Sequence, residues 1–274
     1  MTLFDDAGLA LESGPAGPAI GSESSICRLL VAYDGTGFRG FAKQAEQQTV
    51  EAAIGQAVEK VLRREVEFAI AGRTDAGVHA WGQVVSFEAP PGLDPDRLRA
   101  SINWMLGPEV TVRAADVVRP GFDARHSACW REYRYTIVNR PEPDPFLARY
   151  AWWIPQPLDL RALRLAADPF VGLHDFASFC RKGPAGSTSM RRIFESSWRD
   201  LGDGVLRYDV RAKAYCTRMV RSIVGTLADV GLGKRRPGDM LTILRAKDRA
   251  AAGAVAPAAG LCLWDVGYDP PFTA

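Results

Sequence analysis

The sequence predicts a mixed fold of strands and helices, in which a sheet carries helices on one face. Three patterns indicate it. A strand, a helix and a second strand follow one another over residues 27–87. Apolar and polar side chains alternate over residues 130–137, as they do along a half-buried strand. Residues 190–198 and 205–214 are also strand-like, and the Gly-Asp-Gly turn between them predicts a hairpin.

The first elements of this fold are predicted between residues 27 and 62. Residues 27–33 have the composition of a strand. Thr49 has a side chain suited to cap the N-terminus of a helix. After it, apolar residues recur at helical spacing and define one face of that helix: Val50, Ile54, Ala57, Val58, Val61 and Leu62.

Two strand-like segments, residues 66–70 and 83–87, flank a tight loop bounded by glycines. A second helix is predicted over residues 94–105, and a strand follows it over residues 110–118. The side chains of that second helix that we expect to point inward are Leu98, Ile102 and Met105.

A proline-rich break at residues 141–145 divides the chain into an N-terminal half, 26–140, and a C-terminal half, 146–270. Because the composition does not shift across the break, we expect both halves to share one continuous sheet. The C-terminal half contains a helix that is predicted to open at Tyr215. Gly225 lies inside this helix at a cost of about 1 kcal/mol relative to alanine, which indicates that something approaches closely there.

Composition limits the classes of function. The chain has 274 residues, 47% of them hydrophobic, and a formal net charge of +2. An RNA-binding protein of so small a net charge must gather its basic residues on one face. No apolar run is long enough to span a membrane, and the N-terminus has no secretory pattern, so we expect a cytoplasmic protein. Residues 1–25, rich in Gly, Ser, Ala and acidic residues, are expected to be a disordered leader.

The cysteines and histidines do not predict a metal site. The five cysteines show no C-x-x-C spacing, and the three histidines are dispersed, so zinc binding is not expected. Scattered single cysteines favour a reducing compartment. These residues are Cys27, Cys129, Cys180, Cys216, Cys262, His79, His126 and His174.

The stretch with the strongest chemical signal is residues 71–80, Ala-Gly-Arg-Thr-Asp-Ala-Gly-Val-His-Ala. It places one carboxylate, Asp75, between Arg73 and Gly77 on a loop that two strands hold. Arg73 lies two residues away, close enough to keep the carboxylate ionised. A rigidly mounted, charged carboxylate can serve as a nucleophile or a base. The alternative is an ordinary turn in which Asp75 bonds its own backbone.

These residues resemble the catalytic motif of the tRNA pseudouridine synthases of the TruA type, G-R-T-D-A-G-V-H-A. The resemblance covers nearly all of residues 27–269, in order. It implies an α+β fold whose antiparallel sheet consists of two RNA-recognition-like halves, with helices on one face and a central cleft. It also implies that Asp75 is the catalytic aspartate.

The resemblance implies roles for three further residues. Tyr133, in a match to the R-x-Y-x-Y segment, packs against the target uracil and moves a proton. Arg221, in a match to M-V-R-x-I-V-G, pairs with the catalytic aspartate. Leu261, in a match to A-P-A-x-G-L, covers the other side of the uracil. Without the resemblance, Tyr133 is interpreted as a core tyrosine and Leu261 as part of a core strand.

Four more residues are expected to contact the RNA substrate: Phe38, Arg73, Arg125 and Arg218. Phe38 belongs to a loop in which Phe-Ala replaces the usual Trp-Gln at residues 41–42, and core packing is the alternative for its ring. Arg125 matches F-x-A-R-F-S-A, with His126 in place of the second phenylalanine. His126 is expected to face solvent or to be hydrogen-bonded, and an acid–base role is the alternative. Arg218 stands in a segment that departs from the usual F-L-x-H, so its role is open.

Contacts to the RNA backbone are expected from clusters of basic residues. Two of them, at residues 181–182 and 191–192, bracket a loop rich in Gly, Ser and Pro, which predicts a phosphate-binding flap. A third cluster lies at residues 234–236. A merely solvated loop is the alternative for residues 183–189.

The activity that the resemblance implies is conversion of uridine to pseudouridine at positions 38 to 40 of the tRNA anticodon arm, with no cofactor and no metal. The family acts as a homodimer in which one tRNA crosses both subunits, so we expect a dimer. Three other hypotheses for the function stay open. The protein could be an RNA-binding protein without catalysis, a synthase for another RNA, or a carboxylate hydrolase acting on sugars, which needs a second acid opposite the first.

Overall fold

The computed structural model describes residues 25–183 and 186–269. The predicted leader, apart from its last residue, and residues 184–185 of the Gly/Ser/Pro loop lie outside the described residues. The described strands are β1 (Ile26–Tyr33), β2 (Ala69–Ile70), β3 (His79–Glu88), β4 (Val110–Val118), β5 (Ala128–Val138), β6 (Trp152–Trp153), β7 (Gly172–Asp175), β8 (Met190–Asp200), β9 (Val205–Ala212) and β10 (Leu261–Tyr268). The described α-helices are α1 (Val50–Leu62), α2 (Pro95–Leu106), α3 (Leu160–Ala167), α4 (Met219–Gly231) and α5 (Asp239–Ala246). Within the same residues, every helix is too short or too polar to cross a membrane.

In the described part of the chain, ten strands form one sheet. Eight of them follow the order β4–β1–β3–β10–β5–β9–β8–β7, while β2 pairs with β3 and β6 pairs with β5. Two pairs, β3–β10 and β5–β6, are parallel, and the remaining pairs are antiparallel. A large, mostly antiparallel sheet with helices packed on it confirms the predicted α+β class.

The two halves of the sequence share this sheet, as predicted. β10 comes from the C-terminal half but lies between β3 and β5 of the N-terminal half. Its parallel contact with β3 is short and joins Cys262 to His79 and Leu263 to Ala80. The loop that carries Asp75 leads into β3 at this same place. The junction of the two halves therefore positions the candidate site.

The helices form where the sequence supplies both a cap and an apolar face. Thr49 accepts a hydrogen bond from the N–H of Ala52 at the start of α1, and Asp94 caps α2 just ahead of Pro95. α1 packs against α2, α2 lies against β4, and α3 lies against both α4 and β8. The β1 side chains with no exposed surface are those of Cys27, Leu29 and Val31.

Several predicted element boundaries differ from the observed ones, and two of them lie next to the site. The strand expected over residues 66–70 is reduced to Ala69–Ile70, because these are the residues of that segment that pair with β3. The helix expected to open at Tyr215 begins at Met219. Arg218 precedes it with a φ of +63°, a left-handed conformation through which a right-handed helix does not continue.

The close approach predicted at Gly225 is confirmed. A Cβ added to this glycine would lie 1.8 Å from the carbonyl oxygen of Ala254. The same segment is bonded to the helix through the N–H of Ala256, which donates to the carbonyl oxygen of Arg221 at 3.0 Å. Only glycine permits this packing, which presses the segment before β10 onto the helix that carries Arg221.

The expectation that all the cysteines are single is wrong for two of them. Cys180 and Cys216 form a disulfide with their Cα atoms 5.7 Å apart, and the other three cysteines are free thiols. The two partners are 36 residues apart in sequence, so their spacing carries no signal. The fold brings their segments together, and the N–H of Arg181 donates to the carbonyl oxygen of Thr217 at 3.0 Å.

Candidate active site

The loop that carries Asp75 is held by side chains from two strands of the sheet. Gln83 of β3 accepts a hydrogen bond from the N–H of Gly72 at 3.3 Å and donates one to the carbonyl oxygen of Gly72 at 2.6 Å. Arg131 of β5 donates through Nε to the carbonyl oxygen of Ala71 at 2.9 Å. Gln83 has no exposed surface. These three hydrogen bonds therefore fix the backbone that leads to Asp75.

The residues next to Asp75 are anchored by β1 and the loop that follows it. The hydroxyl groups of Tyr33 and Thr74 are 2.8 Å apart, and the N–H of Phe41 donates to the carbonyl oxygen of Thr74 at 3.1 Å. Two residues after Asp75, Gly77 has a φ of +75°, which glycine adopts without steric cost. The chain therefore turns sharply after the carboxylate.

The carboxylate of Asp75 forms a salt bridge with Arg221 of α4. Nη1 of Arg221 lies 3.3 Å from Oδ2 of Asp75, and the two side chains are 16% and 34% exposed. Nε of Arg221 also donates to the carbonyl oxygen of Ala256 at 2.8 Å, which fixes the plane of the guanidinium. The pair is thus shielded on the arginine side and open to a ligand on the carboxylate side.

Arg73 does not hold the charge of Asp75, contrary to expectation. The side chain of Arg73 is exposed, and within the described residues it forms no ion pair with Asp75. Arg221 reaches the carboxylate instead. The turn itself closes through the backbone, since the N–H of Val78 donates to the carbonyl oxygen of Asp75 at 3.1 Å. The side chain of Asp75 is therefore available for chemistry, and the contact of Arg73 with substrate stays a prediction.

Tyr133 lies on β5 beside this loop, with 7% of its surface exposed. Burial raises its pKa and the negative charge of Asp75 adds to the rise, so the phenol keeps its proton at neutral pH. Its ring meets the ring of Tyr215 edge-on, with centroids 5.0 Å apart. Gly72 of the Asp75 loop lies next to the hydroxyl, because a Cβ added to this glycine would be 3.5 Å from the oxygen, an ordinary contact distance.

β10 adds an apolar side chain next to the tyrosine. Leu261 is opposite Tyr135 in the β5–β10 register, two residues from Tyr133. Because alternate residues of a strand face the same side, Leu261 and Tyr133 lie on one face of the sheet. The N–H of Leu261 donates to the carbonyl oxygen of Ala258 at 2.9 Å. Ala258 in turn packs closely on Gly77, so the leucine is tied to the turn after the carboxylate.

The other predicted contact residues lie in the core or at the surface. Phe38 and Phe41 are 7% and 1% exposed, so the core-packing alternative describes both rings. Arg125 and Arg218 are exposed, and the solvent-facing position predicted for His126 is confirmed. Their contacts with RNA, and that of Phe38, stay predictions.

Two supports of the site were not foreseen. The guanidinium of Arg131 donates to the carbonyl oxygens of residues 71, 125, 128 and 213 at distances of 2.7–3.3 Å. The hydroxyl of Tyr215 lies 2.9 Å from the carbonyl oxygens of Arg131 and Val210, and so ties β5 to β9 beside Tyr133. The sequence offers one signal for the structural role of Arg131, which is that it is the first residue of the R-x-Y-x-Y segment.

The fold and this site define an α+β protein built around one positioned carboxylate. Asp75 and Arg221 lie beside an aromatic and an aliphatic side chain, those of Tyr133 and Leu261. Such a set suits chemistry on a flat ligand, since apolar groups can cover its faces while the carboxylate acts as nucleophile or base. A nucleobase extruded from its stack is a ligand of this shape.

Comparison with known protein families identifies the family to which this α+β protein belongs. The family model described as tRNA pseudouridine synthase matches residues 29–125 and 166–269, and the chain belongs to this family. Asp75, Arg221 and Leu261 fall within the matched segments, whereas Tyr133 falls between them.

Curated relatives match over most of their length. A protein of Leifsonia xyli subsp. xyli named tRNA pseudouridine synthase A is 40% identical over 262 residues, covering 88% of this chain and 91% of that protein. Proteins of the same name from Brevibacillus brevis and Bacillus subtilis are 41% and 37% identical, each covering 88% of this chain and 98% of the relative. Among solved structures, the archaeal box H/ACA sRNP Nop10-Cbf5 complex is similar with a TM-score of 0.35 and 11% identity, covering 76% of this chain and 44% of that chain.

Proposed function

We propose that this protein converts uridine to pseudouridine in the anticodon arm of tRNA, at positions 38 to 40, with Asp75 as the catalytic carboxylate. The observation that carries the proposal is the salt bridge between Asp75 and Arg221, which links the two family motifs in space. The names of relatives that are 37–41% identical support the tRNA substrate and the reaction. A partly exposed, charge-stabilised carboxylate favours an enzyme over an RNA-binding protein without catalysis.

The reaction breaks the bond between ribose C1′ and uracil N1, joins C1′ to uracil C5, and releases the hydrogen on C5 as a proton, while N1 takes up a proton in its place. Asp75 starts it either by adding to the base or sugar or by removing a sugar proton. Arg221 stabilises the negative charge of the carboxylate and fixes its direction. Because the isomerisation is internal and involves no net oxidation or reduction, the proposal includes no cofactor.

The target uridine has to leave its stack to reach Asp75. Tyr133 and Leu261 cover the two faces of the uracil, which lowers the free energy of the extruded base. The Tyr133 phenol stays protonated because burial raises its pKa, so it can donate a hydrogen bond to the base.

The rest of the tRNA is held chiefly through its backbone. The exposed residues Arg73, Arg125 and Arg218 contact the RNA near the target, and exposed basic side chains around the Gly/Ser/Pro loop contact phosphates. The active form is a homodimer in which one tRNA crosses both subunits. The protein acts in the cytoplasm, where its substrate is.

The proposed function is tested on the tRNA of a strain that lacks the gene. Anticodon-arm fragments are treated with acrylonitrile, which labels pseudouridine, and their masses are measured by mass spectrometry. We expect the label at positions 38, 39 and 40 to be absent and to return when the gene is restored. Full labelling at all three positions in the deletion strain would contradict the proposal.

A further inference from the structure

An exposed aromatic surface lies between β5 and β6, outside the site described above. We call residues 144–150 the aromatic turn. The side chain of Phe146 is 87% exposed and that of Tyr150 is 44% exposed. The side chain of Arg149 beside them is 60% exposed. One exposed aromatic residue is common on protein surfaces. This one differs because it lies on a rigid backbone, has a cation beside it and belongs to a turn that is bonded to the motif carrying Asp75.

The aromatic turn has a fixed backbone. One carboxylate oxygen of Asp144 accepts hydrogen bonds from the N–H of Phe146 at 2.8 Å and of Leu147 at 3.1 Å. The other oxygen accepts a bond from Nη2 of Arg140 at 2.6 Å. The N–H of Tyr150 donates to the carbonyl oxygen of Leu147 at 2.8 Å. A ring presented on such a turn loses little conformational entropy when it binds a ligand.

The far end of the aromatic turn is tied to the motif that carries Asp75. Oδ2 of Asp34 accepts hydrogen bonds from Nη2 of Arg149 at 2.8 Å and from the hydroxyl of Tyr150 at 3.0 Å. The ring of Tyr150 packs on the ring of His79, with centroids 5.1 Å apart. His79 follows Asp75 by four residues. The turn is therefore joined to the start of β3, the end of that strand into which the loop carrying Asp75 leads.

We propose that the aromatic turn binds an unpaired nucleobase of the substrate tRNA, stacked on the ring of Phe146, with Arg149 on the adjoining phosphate. This inference rests on the proposed function, because positions 38 to 40 border the unpaired anticodon loop. Proteins hold unpaired RNA bases by stacking them on aromatic rings next to cations. Within the described residues, Asp34 is the ion-pair partner of Arg149, and a guanidinium carries five N–H donors, enough to bind a phosphate as well.

The surface suits a single base better than a second copy of the chain. A stable protein interface buries about 800 Å² on each partner and has a continuous apolar centre. The aromatic turn presents one ring almost completely, that of Phe146, while the rings of Tyr150 and nearby Trp153 are less than half exposed and a charged side chain, Arg149, interrupts the apolar surface. A nucleobase needs only such a ring and a nearby cation.

The test compares three variants of the full chain on a tRNA transcript that carries tritium at C5 of its uridines. They are Phe146→Ala, Phe146→Trp and the control Trp104→Ala, which removes a ring that is 88% exposed on α2. Tritium release in single turnover gives the half-saturating enzyme concentration and the maximal rate. We expect Phe146→Ala to raise the half-saturating concentration by about 5- to 100-fold, the effect of losing one stacked base, at an unchanged maximal rate. Phe146→Trp and Trp104→Ala stay close to the parent protein.

The outcomes separate this inference from the function on which it rests. A parent protein that releases no tritium would contradict the proposed function itself. An active parent with an unchanged half-saturating concentration for Phe146→Ala would overturn the stacking site alone. Equal weakening by Trp104→Ala would also overturn it, as would a Phe146→Ala variant whose sedimentation coefficient changes while its tRNA affinity does not.

Discussion

Replacing Arg221 by alanine should slow the chemistry without abolishing tRNA binding. Opposite charges 3.3 Å apart interact by about 5 kcal/mol at an effective dielectric constant of 20. Because the Asp75 side chain is 34% exposed, water screens the pair, and we halve this figure to about 2.5 kcal/mol. At 1.36 kcal/mol for each factor of ten, the maximal rate falls roughly 70-fold. Loss of the bond to Ala256 lowers the free energy of unfolding by about 1 kcal/mol.

The assay is tritium release from C5 of uridine in single turnover at saturating enzyme. Arg221→Lys should recover part of the rate, because one ammonium group cannot bond both Asp75 and Ala256 with the fixed geometry of a guanidinium. Arg73→Ala is the matched control. Its guanidinium is exposed and unpaired with Asp75, so its loss should change the half-saturating concentration and leave the maximal rate alone. An Arg221→Ala variant with the parent's maximal rate would refute the reasoning.

Three further predictions concern stability and binding. Tyr215→Phe removes a hydroxyl that lies 2.9 Å from two carbonyl oxygens, and should lower the free energy of unfolding by about 1–2 kcal/mol in urea titrations; an unchanged midpoint would contradict this. Burial lowers the pKa of His79 below 6.5, so the unfolded state takes up the proton first and stability falls as the pH drops through 6.5. His79→Asn should lose less stability than the parent between pH 7.5 and 5.5, and an equal loss would speak against the prediction. Finally, tRNA affinity should fall steeply with salt, and Lys182→Ala should reduce the slope by about one unit; an affinity independent of salt would rule out backbone-dominated binding.

Local signals predicted much of the fold. The strand Val110–Val118 has the predicted bounds, and α1 begins directly after Thr49, the predicted cap. These elements were predictable because the signals for them, a regular spacing of apolar residues and a capping residue, lie within a few consecutive residues. The start of α4 was missed because nothing in the sequence shows that Arg218 adopts a left-handed conformation. That residue is an arginine rather than the glycine or asparagine that usually marks such a position.

The candidate site was predictable only where a motif carries it. The salt bridge of Asp75 joins residues 146 positions apart, and it was expected from the family resemblance rather than from spacing. Spacing alone favoured Arg73, two residues from Asp75, as a partner for its charge, because no local pattern relates Asp75 to Arg221. The roles of Arg131 and Tyr215 depend on which backbone carbonyls their side chains reach, and contacts of that kind are set by the folded sheet.

The most direct test of the central claim is Asp75→Asn, assayed by tritium release from C5 of uridine in single turnover. The amide keeps the shape of the carboxylate and can still accept a hydrogen bond from Arg221, but it has no charge and cannot serve as nucleophile or base. Single turnover separates the chemical step from product release. We predict that the variant folds, binds tRNA about as well as the parent and releases no tritium. Release at the parent's rate would contradict the role of Asp75 and the enzyme mechanism built on it.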